Sequence, residues 1–127
     1  MRFTVLGSGS TGNAVLISSD NANVLVDAGM FQGSKTLKAL NYQPLPFDPR
    51  TIDAALLTHA HIDHSGLLPK LTNARFEGPI LATGPTRDLC AIMLADAANI
   101  QENEVESLNR RNLRRGRAAV EPIYRVA

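Results

Sequence analysis

All three histidines of this 127-residue chain fall within six residues, in the run Thr58-His59-Ala60-His61-Ile62-Asp63-His64-Ser65-Gly66, with an aspartate among them. Such a cluster limits what the surrounding chain can be. On a helix, His59 and His61 would point about 200° apart and could not share an ion. Where a strand ends and runs into a loop they can converge. Ala54–Thr58 reads as a buried strand, and Gly66 and Pro69 disfavour a regular helix across the cluster. The spacing therefore predicts a short loop at a strand end. On it, His-x-His can grip one metal and the adjacent Asp63-His64 pair a second one nearby. Neutral imidazole with carboxylate suits zinc, and catalytic zinc sites keep a position open for water.

The motif Thr-His-x-His-x-Asp-His-Ser-Gly resembles the signature of the metallo-β-lactamase fold hydrolases. The resemblance implies two zinc ions, His59 and His61 serving one, Asp63 and His64 the other, with a metal-bound hydroxide as nucleophile. Val24-Leu25-Val26-Asp27-Ala28-Gly29 is similar to the first motif of that family, a strand ending in Asp-x-Gly. By analogy Asp27 orients a histidine ligand by hydrogen bond, as carboxylates behind metal ligands commonly do. Asp63 and Asp27 are thus the implied catalytic carboxylates.

Three further segments resemble the RNA-processing β-CASP branch: Gly29-Met30-Phe31-Gln32-Gly33, Thr83-Gly84-Pro85-Thr86-Arg87-Asp88-Leu89, and Asp96-Ala97-Ala98-Asn99-Ile100-Gln101-Glu102. In that branch a strand leads into a long helix at the second of them. Phe31 and Gln32 could line the substrate path. The likeness covers roughly residues 1–108. It implies RNA as partner and the N-terminal half of an αββα sandwich, a mixed sheet with flanking helices. The family also uses a later histidine ligand, a bridging aspartate, a last histidine and an inserted domain, and this chain has no histidine after His64. The expectation is a partial domain over 1–109 and a basic tail over 110–127, the N-terminal piece of a longer nuclease. Alone, the piece should be inactive and hold zinc weakly. The missing half should leave an apolar sheet face exposed, open to self-association.

Length and composition agree with one globular domain, and a net charge of +1 gives no overall pull toward nucleic acid or membrane. The first residues are too short an apolar run for a signal peptide, no segment is long enough to span a bilayer, and one cysteine cannot form an internal disulfide. A reducing, cytoplasmic setting is expected.

Arg2–Leu6, Ala14–Ser18 and Asn23–Asp27 have strand length, and the turn chemistry of residues 19–22 predicts a hairpin. Ser34 can cap a short helix reaching Leu40. Residues 41–50, with three prolines, read as a loop. A short helix over 66–72 and a strand over 79–83 follow. Pro85 opens a helix to about Arg111, with Leu89, Ile92, Met93, Ala97, Ile100 and Leu108 at helical spacing.

Gly7-x-Gly9-x-x-Gly12 matches a dinucleotide fingerprint with Asp27 twenty residues on. That fingerprint needs a helix straight after the loop, whereas a short β-branched run follows here. Cys90 reads as a buried thiol rather than a nucleophile. The arginines at 110, 111, 114, 115 and 117 could contact RNA or simply favour a helix C-terminus. Besides the RNA-cleaving phosphodiesterase, two readings stay open: a hydrolase of another ester, thioester or lactone on the same fold, and a non-catalytic fragment.

Overall fold

The computed structural model describes residues 1–8 and 12–125. Gly9 of the glycine fingerprint lies outside the described residues. Five strands, β1 (Arg2–Gly7), β2 (Ala14–Ser18), β3 (Asn23–Val26), β4 (Ala54–Leu56) and β5 (Ile80–Leu81), form one sheet in sequential order. β1–β2 and β2–β3 pair antiparallel, while β3–β4 and β4–β5 pair parallel. The turn at 19–22 closes the β2–β3 hairpin, with Ser19 Oγ accepting from the amides of Asn21 and Ala22. Parallel pairing demands crossovers. The first crossover carries α1 (Lys35–Ala39) and 3-10 turns at Leu40–Tyr42 and Pro49–Thr51; the second carries α2 (Ile62–Ser65) and α3 (Leu68–Asn73). A 31-residue helix, α4 (Gly84–Arg114), follows β5. The architecture is the expected mixed sheet with helices.

One sheet face makes the core. Leu25 and Ala55 are fully buried there, packed with Leu68 and Leu71 of α3 and Cys90 of α4, while Leu6 and Leu16 cover the edge. The other face carries two apolar rows across the strands. Phe3, Ile17, Val24 and Ala54 form one; Val5, Val15, Val26, Leu56 and Leu81 form the second. Phe3 and Val5 are each 65% exposed, and Leu56 and Leu81 are also open to solvent.

Some elements differ from the sequence expectation. The loop predicted across the histidine cluster contains α2, so Asp63 and His64 sit on a helical turn. Gly66 and Pro69 do not prevent it, because each falls at a boundary: Gly66 caps α2, and Pro69 occupies the first turn of α3, where a missing amide costs nothing. Ser65 Oγ donates to the carbonyls of Ala60 and His61 and closes the turn.

The helix expected from Pro85 to about Arg111 is present as α4, and its buried residues are Cys90, Ala98, Gln101 and Val105. Leu89, Ile92 and Ile100 are exposed, whereas Met93, Ala97 and Leu108 are half-buried. The predicted loop over 41–50 begins in one 3-10 turn and ends in the other. β4 and β5 are also shorter than expected.

α4 runs unbroken through residues 109–110, and the following segment folds back along it. The Asn109 side chain donates to the Val120 carbonyl (2.9 Å) and accepts from the Val120 amide (2.8 Å). Tyr124 is buried at the end of this return. Burial pushes its phenol from the ordinary 10.0 up to about 12. Burial, helped by the nearby Glu104 carboxylate, also raises the Tyr42 phenol. A folded-state value above the unfolded one means stability that is whole below pH 10 and lost as pH rises toward 12. Phenolate absorbance should therefore titrate late, and Tyr124→Phe should delete the last step and flatten the loss of stability over that window.

Candidate metal centre

The carboxyl ends of parallel strands gather the site, as is general for open α/β sheets. β3 ends at Val26, and Asp27 follows with φ 61°, a left-handed conformation that aspartate tolerates better than most residues. Its amide donates to the Leu56 carbonyl (2.8 Å), which carries the chain end of β3 alongside β4. The carboxylate, 5% exposed, then faces the residue after Leu57. Asp27 Oδ1 accepts from the Thr58 amide (2.8 Å), and Oδ2 accepts from the Thr58 hydroxyl (2.8 Å). Oδ2 also lies 2.8 Å from His64 Nδ1.

The proton positions follow from the donor inventory. An ionised carboxylate only accepts, so His64 Nδ1 carries the proton and Nε2 keeps its lone pair. The single Thr58 hydroxyl proton is given to Asp27, so the 3.0 Å contact between Thr58 Oγ1 and His59 Nδ1 has the histidine donating. His59 is thereby also left with a free Nε2. Two imidazoles are held in the tautomer that a metal ligand needs.

Three rings stand together: His59 and His64 have centroids 4.0 Å apart, and His59 and His61 4.8 Å. Asp63 Oδ2 lies 3.5 Å from His64 Nε2. Donors on one tetrahedral zinc at ~2.0–2.2 Å stand roughly 3.3–3.5 Å apart, so this pair has ligand spacing. Asn13 Nδ2 sits between them, 3.1 Å from His64 Nε2 and 3.3 Å from Asp63 Oδ2. An amide N–H₂, the electropositive end of the side chain, thus faces both donors. The donor set suits zinc in kind. Among the described residues, however, no three His, Cys, Asp or Glu side chains are grouped so as to hold one ion. Only the Asp63–His64 pair shows donor atoms at ligand spacing, and a closed set of ligands needs either a rotation or donors from elsewhere.

The backbone around the cluster is tightly tied. Ala28 donates to the His64 carbonyl (2.9 Å), Met30 to Ile62 (3.0 Å), and Asn13 to Asp63 (2.8 Å). Gly29 lies so close to this turn that a Cβ there would fall 1.7 Å from the Asp63 oxygen.

Phe31 and Gln32, half-buried, line a cleft of about 320 Å³ that reaches Ile62, the residue between His61 and Asp63. Asn41 pins this segment, with Oδ1 accepting from the Phe31 amide (2.7 Å) and Nδ2 donating to its carbonyl (2.8 Å). Lys70 Nζ donates to the carbonyls of Asn41 and Gln43. Asn13, Asn41, Lys70 and Thr58 were not singled out for a role by sequence. Thr58 carried a signal as the first residue of the histidine motif and Asn13 by its place at the end of the glycine turn; Asn41 and Lys70 act through long-range contacts that no local pattern shows.

The sequence profile of the Metallo-beta-lactamase superfamily matches residues 7–102. This chain belongs to that superfamily. Ribonuclease TTHA0252 of Thermus thermophilus is 44% identical over 104 residues, covering 80% of this chain and 24% of that protein. The transcription termination factor FttA of Methanosarcina mazei is 38% identical over 90 residues, covering 70% of this chain and 14% of that protein. The FttA of Methanothermobacter thermautotrophicus is 36% identical over 111 residues, covering 84% and 18%. The chain therefore spans a quarter or less of the length of these curated relatives. Among solved structures, human tRNase Z short form aligns with a TM-score of 0.48 and 24% identity, over 72% of this chain and 39% of that one. No helix among the described residues is long and apolar enough to cross a membrane.

Proposed function

We propose that this chain is the N-terminal portion of a zinc-dependent, RNA-cleaving phosphodiesterase of the β-CASP branch, acting in the cytoplasm. The observation that carries the reading is the Asp27–Thr58–His64 network, which leaves free the outer nitrogens of His59 and His64, the latter 3.5 Å from Asp63. The ribonuclease name of a 44% identical relative supports RNA over other esters. Zinc, when bound, would supply an acidified water and positive charge for the attacking and leaving oxygens. In this reading His59 and His61 hold one ion, Asp63 and His64 the other, and Asp27 positions His64. Phe31 and Gln32 hold the RNA strand beside the loop. The remainder of the longer protein completes the ligand set and packs on the open sheet face, where a second copy of this chain is the competing occupant.

Two measurements test this. Elemental analysis of the purified chain should find well under two zinc ions per chain, since the ligand set is incomplete. The longer protein should cleave end-labelled RNA in a chelator-sensitive way, and Asp63→Asn should slow it by about 10²-fold or more. Robust cleavage by the isolated chain would remove the incomplete-site reading. Intact RNA with the longer protein, alongside turnover of a thioester or lactone, would move the assignment to another hydrolase of the superfamily.

A further inference from the structure

A second groove, of about 610 Å³, lies between the α1–Tyr42 segment and the C-terminal part of α4. Lys35, Arg111, Arg115 and Arg117 line it, with Glu104 as the one carboxylate. Four cations to one anion is a sharp local excess in a chain whose net charge is +1. None of the four makes an ion pair among the described residues, whereas Arg50, Arg87, Arg110 and Arg125 each face a carboxylate.

The cluster is built by the fold. α4 ends in a two-bond left-handed cap: Gly116, with φ 66°, donates to Leu113 (3.2 Å), and Arg117 donates to Asn112 (2.8 Å). This cap reverses the chain. Asn112 Nδ2 also donates to the Ala118 carbonyl (3.2 Å). The reversal brings Arg117 back beside Arg115 and Arg111, which stand one helical turn apart and repel each other. Favourable placement at a helix C-terminus explains one or two cations. It does not explain Lys35, which comes from a different helix and lines the same groove.

Tyr42, an exposed aromatic at the groove, is shared together with Glu104 by the Phe31–Gln32 cleft. The two clefts therefore adjoin at Tyr42 and Glu104, and the second one reaches Ile62, between His61 and Asp63. A groove lined by cations with an aromatic side chain at its edge matches the way single strands are held, phosphates on basic groups and bases on rings.

We propose that the groove between the α1–Tyr42 segment and the end of α4 binds single-stranded RNA, with Lys35, Arg111, Arg115 and Arg117 on phosphates and Tyr42 stacked on a base. This rests on the RNA reading of the metal centre. It adds a site outside that centre.

The test is fluorescence anisotropy with the chain as it stands and a labelled oligouridylate of about twelve nucleotides. Binding should weaken with salt with a log–log slope near −3, from about 0.7 per neutralised phosphate. Arg111→Glu with Arg115→Glu should lower affinity by about tenfold or more and flatten the slope by at least ~1.4. Arg111→Gln with Arg115→Gln serves if the reversal unfolds the helix end, and should flatten the slope equally. Tyr42→Ala should weaken binding about tenfold with the slope unchanged. Undetectable binding by the unaltered chain, double variants identical to it, or equal affinity for a DNA duplex would each overturn the groove. None of these touches the RNA reading itself, which stands or falls on cleavage by the longer protein.

Discussion

Gly29→Ala is expected to unfold the chain or open its histidine turn. The added Cβ would meet the Asp63 carbonyl oxygen at 1.7 Å, its carbon at 2.4 Å and the Asn13 amide nitrogen at 2.6 Å. All three are backbone atoms, so no rotamer change relieves the overlap. Relief requires pulling residues 28–30 away from 62–64. That breaks the Ala28–His64, Met30–Ile62 and Gly29–Asn13 hydrogen bonds together. Each contributes about 1 kcal/mol net, and stranding its buried partners costs more. A loss of about 4 kcal/mol or more is expected, against a typical total of roughly 5–15 kcal/mol. Urea unfolding measures it directly. Gly84→Ala is the control: nothing lies within 4 Å of its Cβ position, at the start of α4. It should leave stability unchanged or raise it by up to ~1 kcal/mol. Equal midpoints for the two variants would show that the close approach at Gly29 does not exist in solution.

Removing the Asp27 carboxylate should cost nearly as much and should separate two roles. Asp27→Ala strands the Thr58 amide, the Thr58 hydroxyl and His64 Nδ1–H in a site where the carboxylate itself is 5% exposed. At ~1–3 kcal/mol per stranded donor, and with some water entering the gap, about 3–5 kcal/mol is expected. Asp27→Asn keeps the volume and accepts the positive φ, and its oxygen still accepts from the Thr58 amide. The amide N–H₂ then faces His64, which must take its proton onto Nε2. Stability should fall by only ~1–2 kcal/mol, while zinc affinity drops about 10–100-fold. Imidazole nitrogen shifts would read the tautomer change. If the asparagine variant binds zinc like the parent chain, Asp27 is a structural anchor and does not position a ligand.

Much of the fold is written locally. Strand-length apolar runs with Ser-Asp-Asn-Ala between two of them specify the hairpin. Ser34 and Thr83 are capping residues at the starts of α1 and α4. The histidine run identifies the site because ligand chemistry needs those residue types regardless of the surrounding chain. Periodicity located α4, but it does not say which side is buried: Leu89, Ile92 and Ile100 are exposed while Cys90, Ala98, Gln101 and Val105 are buried. The helical turn at 62–65 was masked because Gly66 and Pro69 read as breakers wherever they fall, and only the three-dimensional boundaries show that they stand at the edges.

By itself, then, the sequence determined the superfamily and the order of strands and helices and singled out the candidate donors, since each depends on residue types within short windows. Tertiary structure alone decided which nitrogen of His59 and of His64 is free. It placed Asp27 on His64 across 37 residues, set Asn13 between two prospective ligands, and turned Arg117 back toward Lys35. Those outcomes depend on contacts between segments far apart in the chain, whose relative positions follow from sheet register and backbone close approach, and neither leaves a local signal.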